Sequence, residues 1–132
     1  METVRARDNG ADMLLRKALW GRGWRYRLYS RQLIGKPDLV FANSRVAVFV
    51  DGDYWHGRVL RERGLPALVE QFRGESRDYW IEKISRNVRR DEAVTQDLRT
   101  NGWTVVRLWE TDILRSIETA VASVESALGP QP

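Results

Sequence analysis

DLVFANSRVAVFVDG, Asp38–Gly52, decides the fold. Two apolar, β-prone runs flank the polar pair Asn43-Ser44. So short a polar connection predicts a turn, and the runs on either side predict an antiparallel hairpin. The second run, Arg45–Asp51, is almost continuously apolar, as expected of a central strand covered on both faces. It ends in Asp51-Gly52-Asp53-Tyr54-Trp55-His56-Gly57, which contains the chain's single histidine.

Upstream, Trp24, Tyr26 and Leu28 alternate with Arg25 and Arg27, which predicts a strand with one dry and one basic face. Before it, Leu14, Leu15, Ala18 and Leu19 fall at helical spacing, with Asn9 as a cap and Gly21 and Gly23 as a stop. Asp12 then sits in the first turn, where the helix dipole favours an acid. Downstream, residues 56–77 are less regular and predict a short helix and a loop. Trp80, Ile84, Val88, Val94 and Leu98 trace the inner side of one long helix, with Tyr79 and Trp80 in the core and Asn101-Gly102 at its end. WTVVRLW, 103–109, is a strand whose tryptophans pack inward. Asp112 caps a last helix with the stripe Ile113, Ile117, Val121, Val124 and Leu128. The order of helix, strands, long helix, strand and helix predicts an α/β fold, a mixed sheet with helices on its faces.

The chain has 132 residues, enough for one domain: an arm over 1–10, a folded body over 11–128 and a loose tail over 129–132. It has no cysteine, which excludes disulfides and cysteine-ligated metal. No segment is apolar enough to span a membrane or to act as a signal peptide, so a cytoplasmic location is expected. The net charge of +4 suits nucleic acid without requiring it. Arg5 and Arg7 lie on the arm, which either frays or orders in a groove of a partner.

The strand tips carry the chemistry. Hairpin pairing about Asn43-Ser44 brings Asp38 close to Val50 and Asp51. Neighbouring strands lie about 5 Å apart, so carboxylates at their ends can share a cation. Magnesium takes a few carboxylates, retains waters and binds phosphate oxygens. A metal so held activates water and offsets charge in phosphodiester hydrolysis. His56 changes charge near neutrality and is suited to move a proton or to stabilise the scissile phosphate. Each acid also has a plainer reading as a turn residue, and His56 as a half-buried hydrogen bonder. Lys83, Asn87 and Arg90 share one helix face, either for phosphate contact or for ion pairing with Asp91 or Glu110.

Four blocks, GKPDLVF (35–41), VAVFVDGDYWHG (46–57), YWIEKISRNVRRD (79–91) and GWTVVRLWE (102–110), resemble in order and spacing the very-short-patch repair (Vsr) endonucleases. The resemblance runs from about Met1 to Glu110. It implies a restriction-endonuclease-like fold of the PD-(D/E)XK superfamily. It also implies a magnesium-dependent enzyme, with manganese as a substitute, that nicks one strand of double-stranded DNA 5′ of the thymine in a T·G mismatch. The products are a 5′ phosphate and a 3′ hydroxyl. A module of the same fold that binds DNA without cutting it is the alternative. Asp38 matches the metal-ligating aspartate, and the Val50 carbonyl falls at a metal position. His56 matches the general base or water-orienting histidine. Asp12 matches an acid that helps to place the metal-bound water. Asp51 stands where relatives often have a second histidine, so it either approaches the metal or holds the His56 tautomer. Tyr54 and Trp55 match aromatics that wedge into the DNA stack, and the arm with Arg5 and Arg7 matches a segment that grips the duplex. Typical members also carry a structural zinc. Here Asp53 and Thr111 replace two of its cysteines, so no structural zinc is expected and local packing or ion pairs must replace it, with Arg58 as a candidate partner for Asp53. A monomer is expected, and partner proteins from repair or from defence against foreign DNA both fit.

Overall fold

The computed structural model describes residues 10–131. The arm with Arg5 and Arg7, and the Asn9 cap, lie outside the described residues. In chain order the elements are α1 (Ala11–Gly21), β1 (Arg27–Leu28), β2 (Leu39–Phe41), β3 (Val46–Asp51), α2 (Arg58–Arg63), α3 (Leu65–Glu70), α4 (Arg77–Thr100), β4 (Thr104–Trp109), α5 (Glu110–Arg115) and α6 (Ile117–Leu128).

The four strands form one sheet in the order β1-β2-β3-β4. The hairpin is present as expected: β2 and β3 are antiparallel, with Leu39 opposite Val48 and Phe41 opposite Val46. β4 lies parallel to β3 on the other side, with Ala47 opposite Val105 and Asp51 opposite Trp109. The sheet is therefore mixed, as the restriction-endonuclease-like arrangement requires.

Side-chain alternation along β3 explains its continuous apolar run. Val46 and Val48 face a core shared with Leu15 and Leu19 of α1 and with Val121 and Val124 of α6. Ala47 and Phe49 face the opposite way, onto Val94 and Leu98 of α4. Both faces of β3 are dry, so every position but the tip is paid for by burial, at roughly 1.5–3 kcal/mol for a fully buried valine or leucine. A third cluster joins α3 to α4 through Leu68, Ile84 and Val88. Among the described residues no helix is long and apolar enough to cross a membrane.

Three local expectations need correction. The strand expected over Trp24–Leu28 is only Arg27–Leu28, because Trp24 and Tyr26 instead turn edge-on to Phe41 in the core. The last helix is two helices. Ser116 interrupts it in extended backbone and its hydroxyl accepts from Thr119 N, so Ser116 rather than Asp112 caps the final helix. Tyr79 is not core: it is 57% exposed and meets Trp80 edge-on, while the buried residues of α4 begin at Ile84.

Candidate active site

The head of β2 and the tail of β3 meet at one end of the sheet. Asp38 stands just before β2, where the backbone ladder with β3 stops. Its carboxylate continues the ladder: Oδ2 accepts from Val50 N at 2.6 Å. Sequence reasoning placed these two residues together, and the structure joins them directly.

Asp51 is the last residue of β3 and is buried at 3% exposure. Burying a carboxylate is costly unless it is paired. Arg107 on β4 supplies the pair, its NH1 donating to Oδ1 and Oδ2, each at 3.1 Å. Arg107 is itself fixed: Nε donates to Thr95 Oγ1 at 2.7 Å, NH2 donates to the Asp91 carbonyl, and the guanidinium lies 4.0 Å from the Phe49 ring centre.

His56 follows in a turn closed by His56 N donating to the Gly52 carbonyl. Its Nδ1 lies 2.5 Å from Asp91 Oδ2 and 3.7 Å from Asp51 Oδ1. Asp91, not Asp51, is thus the close partner of the ring. Burial opposes the charged imidazole, but the hydrogen bond to Asp91 and the charges of Asp51 and Asp91 outweigh it, so His56 titrates above its ordinary value. Burial likewise pushes the Asp91 carboxyl up, but the bond to His56 and the charges of His56, Arg107 and Arg61 pull harder and hold it low. A proton on Nδ1 facing Asp91 leaves Nε2 as the nitrogen for acid–base work.

Gly57 seats this turn on α4. Its φ is +69°, and a Cβ there would lie 2.5 Å from Val88 Cγ2 and 3.0 Å from Ile84 Cγ2. Only glycine allows both the backbone conformation and the close approach.

Asp51, His56 and Asp91 each bring a ligand atom within 4.8 Å of the others. Two carboxylates and an imidazole suit a divalent cation. Arg107 and Arg61 already offset the two acids, so a cation there competes with two guanidinium groups. Asp12 is buried in the first turn of α1, and its Oδ2 accepts from the Tyr29 hydroxyl at 2.5 Å.

Beside the site lies an aromatic shelf. Tyr54 and Trp55 are 48% and 44% exposed and touch at 4.7 Å between ring centres. Trp80 stacks obliquely on Trp55 at 5.6 Å, and Tyr79 meets Trp80 edge-on at 4.9 Å. The polar stripe on α4 points here as well. Lys83 Nζ is 5.9 Å from the Trp55 ring, Asn87 Nδ2 donates to the Trp55 carbonyl at 3.0 Å, and Arg90 donates to Asn87 Oδ1.

Arg58 ties the loop to the start of α5. It pairs with Asp53, Asp112 and Glu62, each at 3.0 Å, and its NH1 also reaches Thr111 Oγ1. Thr111 donates to Asp53 through both its N and its Oγ1. The expected Asp53–Arg58 pair is therefore part of a larger knot. Asp53 is opposed by burial, yet its bonds from Thr111 and Arg58 keep its carboxyl below the usual range. Arg58→Ala leaves Asp53, Asp112 and Glu62 close together without their cation, so its Tm falls in a thermal melt. Treating the unchanged protein with a chelator leaves its Tm where it was.

Two residues that the structure brings to the site, Asp91 and Arg107, are not among the site residues expected from the sequence. Asp91 sits three positions after Val88 and seven after Ile84, an acid on the greasy stripe of α4. Arg107 is a charge in the middle of an apolar strand. Both were visible as breaks in pattern, since a charge at a core position needs a buried partner.

The family model for DNA mismatch endonuclease Vsr matches residues 1–62. The chain is 38% identical over 128 residues to the Type II nicking enzyme V.NmeDIP of Neisseria meningitidis serogroup C, which covers 97% of this chain and 82% of that one. It is 35% identical over 119 residues to the Type II nicking enzyme V.HpaIIP of Haemophilus parainfluenzae, across 89% of this chain and 79% of that one. Against the DNA mismatch endonuclease Vsr of Escherichia coli strain K12 it is 32% identical over 110 residues, across 83% of this chain and 66% of that one. Identity at that level over most of this chain, on a mixed sheet where Asp51 and His56 at the end of β3 meet Asp91 of α4, places the chain in the family of Vsr and Type II nicking endonucleases.

Proposed function

We propose that this protein is a magnesium-dependent endonuclease that nicks one strand of duplex DNA by phosphodiester hydrolysis, at or near a mismatch such as T·G. The products are a 5′ phosphate and a 3′ hydroxyl. The observation that carries the reading is the gathering of Asp51, Asp91 and the only histidine where β3 ends, in the same turn as the exposed rings of Tyr54 and Trp55.

Magnesium, with manganese as a substitute, would be held by the Asp38 carboxylate and the Val50 carbonyl with Asp51 beside them, and would activate water and offset charge on the phosphate. The chain's own groups do the rest. Asp91 keeps a proton on Nδ1 of His56, so that Nε2 orients water or takes its proton. Asp12, held by Tyr29, helps to order that water. Tyr54 and Trp55 insert between base pairs, with Trp80 supporting them from behind. Unstacking is cheapest at a mismatch, so a wedge of this kind favours mispaired DNA. Lys83 and Arg90 contact phosphate, joined by Arg5 and Arg7 on the arm, while Asn87 holds the Trp55 carbonyl so that the wedge is stiff. The enzyme acts in the cytoplasm as a monomer, on the nucleoid when bound.

A second reading, a DNA-binding module without catalysis, draws on one feature: Arg107 engages both oxygens of Asp51. A magnesium-dependent cleavage panel separates the two. Matched, T·G, other mispaired, uracil-containing and methylated duplexes are incubated with the protein. Nicking that requires magnesium and is fastest on one mispaired duplex supports the endonuclease. Tight binding that ignores magnesium, with no nick in any duplex, establishes the module instead. In the same panel Trp55→Ala weakens binding to the preferred duplex by about 5–150-fold, the equivalent of roughly 1–3 kcal/mol for a lost stacked base. It binds matched duplex nearly as well as before.

A further inference from the structure

Arg61 has no part in the chemistry above, yet its side chain is aimed at it. It lies on α2, and its backbone N–H donates to the Gly57 carbonyl at 2.9 Å. From there the guanidinium turns back. Nε donates to the main-chain carbonyl of His56 at 3.0 Å. NH2 donates to Asp91 Oδ2 at 3.2 Å, the same oxygen that meets His56 Nδ1. One planar group therefore holds both the backbone of the histidine and the carboxylate that orients its ring.

Other candidates for these tasks are occupied elsewhere. Arg107 reaches the Asp91 main-chain carbonyl and spends its charge on Asp51. Among the described residues, the cations in ion-pair contact with the Asp91 carboxylate are His56 and Arg61. The fold gives the bridge a purpose. His56 precedes α2, whereas Asp91 belongs to α4. α2 is six residues long and has no fully buried residue. Gly57, Val59 and Leu60 seat it on Ile84 and Val88, and the Arg61 bridge adds a polar tie from the same helix to Asp91, one turn further along α4.

We propose that Arg61 is a positioning residue, whose fork bridges the His56 carbonyl and the Asp91 carboxylate and so fixes the orientation and tautomer of the imidazole. The kinetic half of this proposal rests on the nicking activity proposed above, while the structural half does not. Lysine carries the charge but not the rigid fork that spans two acceptors, so it replaces Arg61 only in part.

The test uses the full chain with ¹⁵N-labelled histidine. His56 is the only histidine, so the two ring nitrogens give an unambiguous spectrum. The pH is raised until both ring-nitrogen signals stop moving, so that the ring is neutral and its tautomer can be read. The unchanged protein shows one tautomer, protonated on Nδ1. In Arg61→Ala the two nitrogen signals move toward the average of both tautomers. Nicking kcat falls by about 10–100-fold, the usual cost of losing a group that orients a reacting one, and KM is unchanged. Arg61→Lys lies between the two in both spectrum and kcat. Imidazole spectra identical in R61A and the unchanged protein overturn the proposal, as does a loss confined to KM. If R61A does not fold, R61K decides, and a spectrum and kcat equal to those of the unchanged protein overturn it. If the unchanged protein nicks no duplex, the function proposed above has failed, and the spectra alone decide the role of Arg61.

Discussion

Asp38→Asn binds duplex DNA as tightly as the unchanged protein but loses magnesium-dependent nicking by about three orders of magnitude or more, the scale seen when one member of a cooperating catalytic group is removed. The choice of asparagine matters. Asp38 has a structural duty, since its Oδ2 accepts from Val50 N where the β2 ladder ends. Asparagine retains a carbonyl oxygen for that bond while removing the charge that a cation requires. Asp38→Ala loses both. It leaves a β3 amide without its acceptor, at a cost of about 1–3 kcal/mol, and so melts at a lower temperature. The two variants together separate the fold from the chemistry. Relaxation of supercoiled plasmid and cleavage of a mispaired duplex read the chemistry, gel shift without metal reads binding, and a thermal melt reads the fold. Undiminished nicking by Asp38→Asn would remove Asp38 from the metal site and the proposed mechanism with it.

The second large effect belongs to Asp91, the last residue of the 79–91 block, to which the sequence assigned only an ion pair. Asp91→Asn lowers kcat by about 10²–10⁴-fold, the range of a lost general acid–base contribution. An asparagine at this position can donate its amide N–H to His56 Nδ1, which places the ring proton on Nε2, the wrong nitrogen. The pH dependence of stability supplies an independent check. His56 titrates above its ordinary 6.5, so the stability from its charged form is complete below 6.5 and is lost as pH rises through the raised folded value. Asp91 titrates below its ordinary 3.8, so its contribution is complete above 3.8 and is lost as pH falls through the lowered folded value. The pair therefore stabilises the protein most between 3.8 and 6.5. Thermal melts across pH should show the gap between the unchanged protein and Asp91→Asn widest in that window and narrowing on both sides. A gap that does not vary with pH would mean that the two side chains do not share charge.

Much of the architecture was legible because it rests on local chemistry. Asn43-Ser44 between two β-prone runs specifies a hairpin, and a strand apolar at every position specifies cover on both faces. The stripe from Ile84 to Leu98 specifies a long helix, and Asn101-Gly102 its end. Errors arose where packing outweighed pattern. Trp24 and Tyr26 alternate like strand residues, but the core gains more from their rings against Phe41 than a longer edge strand would gain from two more hydrogen bonds. Tyr79 and Trp80 read as core because large aromatics usually pack. Here they extend a shelf built from a different segment, and only the approach of the 52–57 turn to α4 brings Trp80 to Trp55.

By itself the sequence determined that a hairpin brings Asp38 to Val50 and that Asp51 and His56 follow at the end of the same strand, since turn length and side-chain period are properties of neighbouring residues. It determined also that no cysteine-bound zinc holds the loop. Only the tertiary structure decided which carboxylate orients the histidine, that Arg107 offsets Asp51, and that Arg58 knots Asp53 to Thr111 and Asp112. Those partners lie 35, 56, 58 and 59 positions apart in the chain or come from different helices and strands. An ion pair forms wherever folding leaves a buried charge within reach of its opposite, and no local pattern of residues encodes that distance.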